Sequence, residues 1–166
     1  MQKNHFIRPV FFFLLLTLFS QFVCAVDAPR PKLKKIHDLR ETAKLAIAAD
    51  LPVLMMFGTD ECPYCEMLRE EFLIPMIISG DYTNKIIMRE VHIAYYEKLI
   101  DFKGKTITAS QLAHRYGVTL FPTMVFINSK GEVLVKKILG ITTPSLFGGT
   151  LDQRIDQALA TQRKDR

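Results

Sequence analysis

Phe57-Gly58-Thr59-Asp60-Glu61-Cys62-Pro63-Tyr64-Cys65 holds two thiols three positions apart, with a proline and an aromatic between them. An apolar run, Pro52 to Phe57, leads into it. Behind it Cys65, Leu68, Arg69 and Phe72 recur at helical spacing. The motif therefore sits where a buried strand hands over to a helix N-terminus. Free backbone N–H groups and the positive end of the helix dipole stabilise a thiolate there. Pro63 suits the first helical position, where a missing N–H costs nothing. Cys62 then occupies the cap with its sulfur outermost, and Cys65 lies one turn deeper. Disulfide exchange needs that asymmetry, with one attacking thiolate and one resolving thiol.

Two blander readings compete. A structural bridge closing so short a loop removes little chain entropy, roughly 2 kcal/mol against about 3 for a fifteen-residue loop. Half of a zinc site needs a second ligand pair, yet the only other cysteine is Cys24, and His37, His92 and His114 lack ligand spacing. Redox chemistry is the reading carried forward. The methionines Met55, Met56, Met67, Met76 and Met124 read as core filler. Copper delivery would need a soft cluster such as Cys62, Cys65 and His92.

The chain has 166 residues, which fits one domain. Residues 1–25 read as a signal peptide. Lys3 and Arg8 precede an apolar stretch from Val10 to Phe19 that is short for a bilayer span, and Val23 and Ala25 are small enough for a cleavage site. An uncleaved anchor is the alternative, and a lipid-anchored Cys24 fits its preceding residues poorly. Cleavage would remove Cys24 and leave one pair free to cycle. Loss of Lys3 and Arg8 from 22 basic residues leaves 20 against 17 acidic ones, a net charge of +3. That is too mild to argue for nucleic acid.

Residues 26–37 read as a lead-in, solvated from Asp27 to Lys35, and residues 38–162 as the domain. Asp38 to Ala49 shows one apolar helix face. Val53 to Phe57 reads as a strand buried on both faces. Pro75 is expected to stop or kink the cysteine helix. Lys85 to Ile93 is the next strand. Residues 94–107 fit either a small hairpin about Lys103-Gly104-Lys105 or an irregular loop. Thr108 to Gln111 is a capping-box signature, with Gly117 as C-cap. Thr123–Asn128 and Glu132–Leu139 form the best hairpin signal. Thr150 to Gln153 has the spacing of another capping box and opens a last helix, whose end from Arg163 to Arg166 is expected to fray. This order gives an α/β domain, a mixed central sheet with helices on both faces.

The segment Phe57 to Cys65, then Tyr116-Gly117-Val118 running into Phe121-Pro122-Thr123, then Lys130-Gly131-Glu132 and Gly140, resembles the thioredoxin superfamily. The likeness covers roughly residues 38–160. The segment between the active-site helix and Pro122 is similar to exported bacterial thioredoxin-like proteins, among them the thioredoxin of sulfur-oxidation gene clusters. The resemblance implies a thioredoxin-like fold and a thiol–disulfide oxidoreductase without a cofactor. It implies Cys62 and Cys65 as the catalytic pair, and substrate contact at Phe121, Pro122, Pro63 and Tyr64. It further implies a cis bond between Phe121 and Pro122, lying against the cysteines. Partners would be protein disulfides and a membrane electron donor, in a periplasm, or outside the cell if the host lacks an outer membrane. The alternative is a module that binds a client or metal without turnover.

Three departures stand out. Cytosolic thioredoxins carry a buried aspartate where this chain has Met56, and a tryptophan where it has Glu61. Pro63-Tyr64 resembles the inner dipeptide of glutaredoxins. The potential and the direction of electron flow are therefore open. Tyr95 and Tyr96 either border the site or cover the sheet edge.

Overall fold

Strand β1 (Val53–Gly58) is buried at every position. It pairs in parallel with β2 (Ile87–His92) and antiparallel with β5 (Thr123–Ile127), and β6 (Ile138–Leu139) extends the sheet to the order β2-β1-β5-β6. The structure is a computed structural model that describes residues 30–164. All that follows concerns the compact unit that begins at Pro31. The leader over residues 1–25 lies outside the described residues.

Alternation along β1 builds both faces. Leu54 and Met56 join Cys65, Leu68, Phe126 and Leu151 in one core cluster, while Val53, Met55 and Phe57 join Leu39, Ala46 and Leu112 in the other. Helix α1 (Leu39–Ala49) and α4 (Ala109–Arg115) cover the second face. The first is covered by α2 (Pro63–Met67), the turns that follow it, and α5 (Pro144–Lys164). A mixed sheet with helices on both faces is the expected class, and the apolar β1 run follows from burial on both sides. Asp38 caps α1 by accepting the Arg40 N–H at 2.8 Å. The Thr108 capping box is present in both directions.

Several elements differ from expectation. Pro75 neither stops nor breaks its helix. The chain widens into a π segment over Leu68–Leu73, with the Ile74 N–H on the Arg69 carbonyl, and then continues as α3 (Ile74–Ser79). A proline removes one donor and crowds the carbonyl four residues back, and a π widening relieves both. Residues 94–107 do contain a hairpin, β3 (Lys98–Ile100) against β4 (Thr106–Thr108). The strand expected over 132–139 is broken. It keeps a bridge at Val133 and the pair at β6, because the intervening arm leaves the ladder and Lys137 donates to the carbonyls of Tyr116 and Gly117. Helix α5 begins at Pro144, not at Thr150, whose hydroxyl donates to the Leu146 carbonyl inside the helix. Phe147 anchors this early turn, its ring 4.9 Å from that of Phe72. The helix also runs to Lys164, into the stretch expected to fray. The lead-in is not solvated throughout. Leu33 and Ile36 are buried, and the Lys35 backbone forms a parallel bridge with Glu90 of β2.

Candidate active site

The C-terminal end of β1 delivers the cysteine motif. Gly58 closes the strand because a Cβ there would stand 3.2 Å from Cys65 Sγ and 3.1 Å from Met56 Cε. Thr59 to Glu61 form the loop. Cys62 is the extended N-cap residue of α2 and Pro63 opens the helix. The Cys65 N–H donates to Cys62 Sγ at 3.2 Å. That donor and the positive helix end stabilise negative charge on the outer sulfur. The two cysteines are joined by a disulfide, their Cα atoms 5.2 Å apart. Cys62 is partly exposed, whereas Cys65 is fully buried. The structure thus presents one accessible and one sheltered sulfur.

The second half of the site comes from the start of β5. Thr123 stands opposite Phe57 in the sheet, so Pro122 arrives at the same end as Gly58. The Phe121–Pro122 bond is cis. Pro122 is buried, and its carbonyl accepts the Gly140 N–H at 2.8 Å. Phe121 stays on the surface, as do Pro63 and Tyr64. Pro63 and Tyr64 lie directly between the two cysteines, and Phe121 immediately precedes the proline that leads into β5. Tyr95 and Tyr96 project into solvent, 88% and 84% exposed, so they do not cover the sheet edge. Their loop is tied to the motif by the Ile93 N–H on the Gly58 carbonyl at 2.8 Å.

Behind the motif lies a polar network that the sequence reading missed. Glu90 and His92 are buried on β2. Arg69 donates to Glu90 at 3.2 Å and to the Thr59 carbonyl at 3.2 Å, and pairs with Glu66. His92 Nε2 meets Asp60 at 3.2 Å. The available signal was Glu90 and His92, two positions apart on one face of a strand whose alternate face carries Arg89. Met56, opposite Glu90 in the register, is fully buried beside Cys65 in the core cluster. The copper set of Cys62, Cys65 and His92 is not assembled: the sulfurs are bonded to one another and Nε2 is taken by Asp60. On the opposite sheet face, burial pushes the Tyr116 phenol up to about 12, and its hydroxyl donates to the Gly131 carbonyl.

A CxxC pair at the N-terminus of the helix that follows β1, with a cis-proline opening the antiparallel neighbour of that strand, is the layout of a thiol–disulfide redox site on a thioredoxin-like fold. The thioredoxin-like domain model matches residues 39–155, and the chain belongs to that family. Among solved structures, the chain is similar to the DsbH oxidoreductase, with a TM-score of 0.53 at 18% identity over 87% of this chain and 98% of that one. Mitochondrial thioredoxin 3 from Saccharomyces cerevisiae matches at 20% identity and a TM-score of 0.48, over 73% of this chain and 94% of that one. A Mus musculus protein named dTDP-D-glucose 4,6-dehydratase is 24% identical over 131 residues, which are 71% of this chain and 36% of that protein. The chain thus spans about a third of that relative's length.

Proposed function

We propose that the protein is an exported oxidoreductase that reduces disulfides in client proteins. The observation that carries this reading is the asymmetry of the pair, a partly exposed Cys62 at the helix cap and a buried Cys65. Cys62 attacks the client disulfide and forms a mixed disulfide, which Cys65 then resolves. The exposed Phe121, Pro63 and Tyr64 receive an extended client chain beside Pro122. Export is inferred from the basic start and apolar core of residues 1–25. In an oxidising compartment a reductase must be recharged, so a membrane partner supplies the electrons.

Insulin reduction by the domain from Val26 onward tests this, together with the equilibrium potential of the pair against glutathione. Turnover with dithiothreitol and a potential below that of glutathione support a reductase. A potential well above it would make the protein an oxidase. Client capture without turnover would make it a binding module.

A further inference from the structure

In the resolving step Cys65 must lose a proton while it is buried. The sulfur rests against Gly58, since a Cβ on that glycine would stand 3.2 Å from Cys65 Sγ. His92 is the register partner of Gly58 on the parallel strand. Parallel neighbours are about 4.8 Å apart, a gap that an imidazole covers alone or with one water. His92 is only 7% exposed. Its Nε2 lies 3.2 Å from Asp60 Oδ2, and a proton on Nε2 faces that carboxylate and leaves the Nδ1 lone pair available. Nδ1 is buried and has no hydrogen-bond partner among the described residues. Glu90 Oε1 stands 3.8 Å from it, placed to attract the cation that forms when Nδ1 takes a proton.

We propose that His92 accepts the Cys65 proton as Cys65 resolves the mixed disulfide. The inference rests on the reading of Cys62 as attacking and Cys65 as resolving thiol. The Cys65 S–H bond breaks and its proton passes to Nδ1. The freed electron pair forms the Cys65–Cys62 bond. The bond between Cys62 and the client sulfur breaks, and its electron pair leaves with the client, which takes a proton from solvent. The cysteine pair is oxidised and the client reduced.

The imidazolium then returns its proton to water. A cleft of about 260 Å³ adjoins Asp60 and Glu90 and supplies the route. The groups facing His92 are Asp60 from the loop and Glu90 from its own strand, with Arg69 and Glu66 behind them on the helix. Lys32, Lys35 and Glu70 complete the charged wall of the cleft. Asp60, Glu90 and Arg69 are positioning residues.

The test uses reduced full domain and an aromatic disulfide that releases a coloured thiolate twice, first on Cys62 attack and again on resolution. His92→Gln keeps a donor for Asp60 and loses the base. The first release should be unchanged. The second should slow on the order of a hundredfold and lose its pH inflection. An unchanged second phase in the variant overturns the proposal. A wild type that releases only one thiolate defeats the attack-and-resolve reading itself, which is a separate outcome. Should His92→Gln fail to fold, NMR titration of His92 in the wild type decides. Coupling is reciprocal, so the imidazole midpoint must differ between oxidised and reduced protein, and equal midpoints overturn the proposal.

Discussion

At the residue scale the two sulfurs differ by shelter. Cys62 caps the helix and Cys65 has no exposed surface. Cys65→Ser should therefore accumulate mixed disulfides with insulin on non-reducing gels, whereas Cys62→Ser should accumulate none. Brief alkylation of the reduced native protein should label Cys62 first, and faster labelling of Cys65 would reverse the assignment. Gly58 is set by contact: a methyl there meets Cys65 Sγ and Met56 Cε closer than ordinary packing allows. Gly58→Ala should cost about 1–3 kcal/mol in denaturant titration, the usual range for overpacking. The sequence announced the cysteine pair because its parts are three positions apart and their roles follow from helix geometry. It did not announce the network behind them. Arg69 and Glu90 are separated by 21 positions, and only the fold brings them to 3.2 Å.

At the element scale, local signals were reliable where local forces decide. The Thr108 capping box forms, and Asp38 caps α1. The same signature at Thr150 failed because Phe147, packed on Phe72, starts the helix two turns earlier, against the poor helix propensity of Gly148 and Gly149. Pro75 misled because a π segment absorbs it. The β3–β4 hairpin was left open by its sequence because its hub is a side chain. Asp101 Oδ1 accepts the N–H groups of Lys103 and Lys105, each at 2.9 Å, and Oδ2 accepts from Arg115 at 3.0 Å. The Lys105 N–H above all, then Arg115 and Lys103, holds this carboxyl below its ordinary value. The stability that Asp101 contributes is complete above the ordinary carboxylate range, near pH ~3.9, and is lost as pH falls through the lowered folded-state value. Asp101→Asn should lower the melting temperature at neutral pH. Its deficit against the wild type should shrink as both are acidified, and a deficit constant across that range would remove the carboxylate from the account.

At the scale of the whole molecule, the order of elements was enough to define the mixed sheet, since each apolar run and helix face has a place in it. The lead-in was misjudged because Leu33 and Ile36 are isolated among charges, and their burial depends on an edge of β2 that sequence does not display. The proposed export makes one prediction at this scale. Protein purified from its host should show Val26 as its first residue by mass spectrometry, and an intact Met1 in membrane fractions would oppose a soluble mature form. The strand pairing has a further consequence. The amides of β1 lie in a ladder flanked on both sides, whereas β3 and β4 form a separate two-stranded sheet. Local opening follows such units. In heavy water, the 98–108 segment should take up deuterium by its own opening, hours ahead of Leu54 to Phe57, while the cysteine strand keeps its protons until the whole domain unfolds.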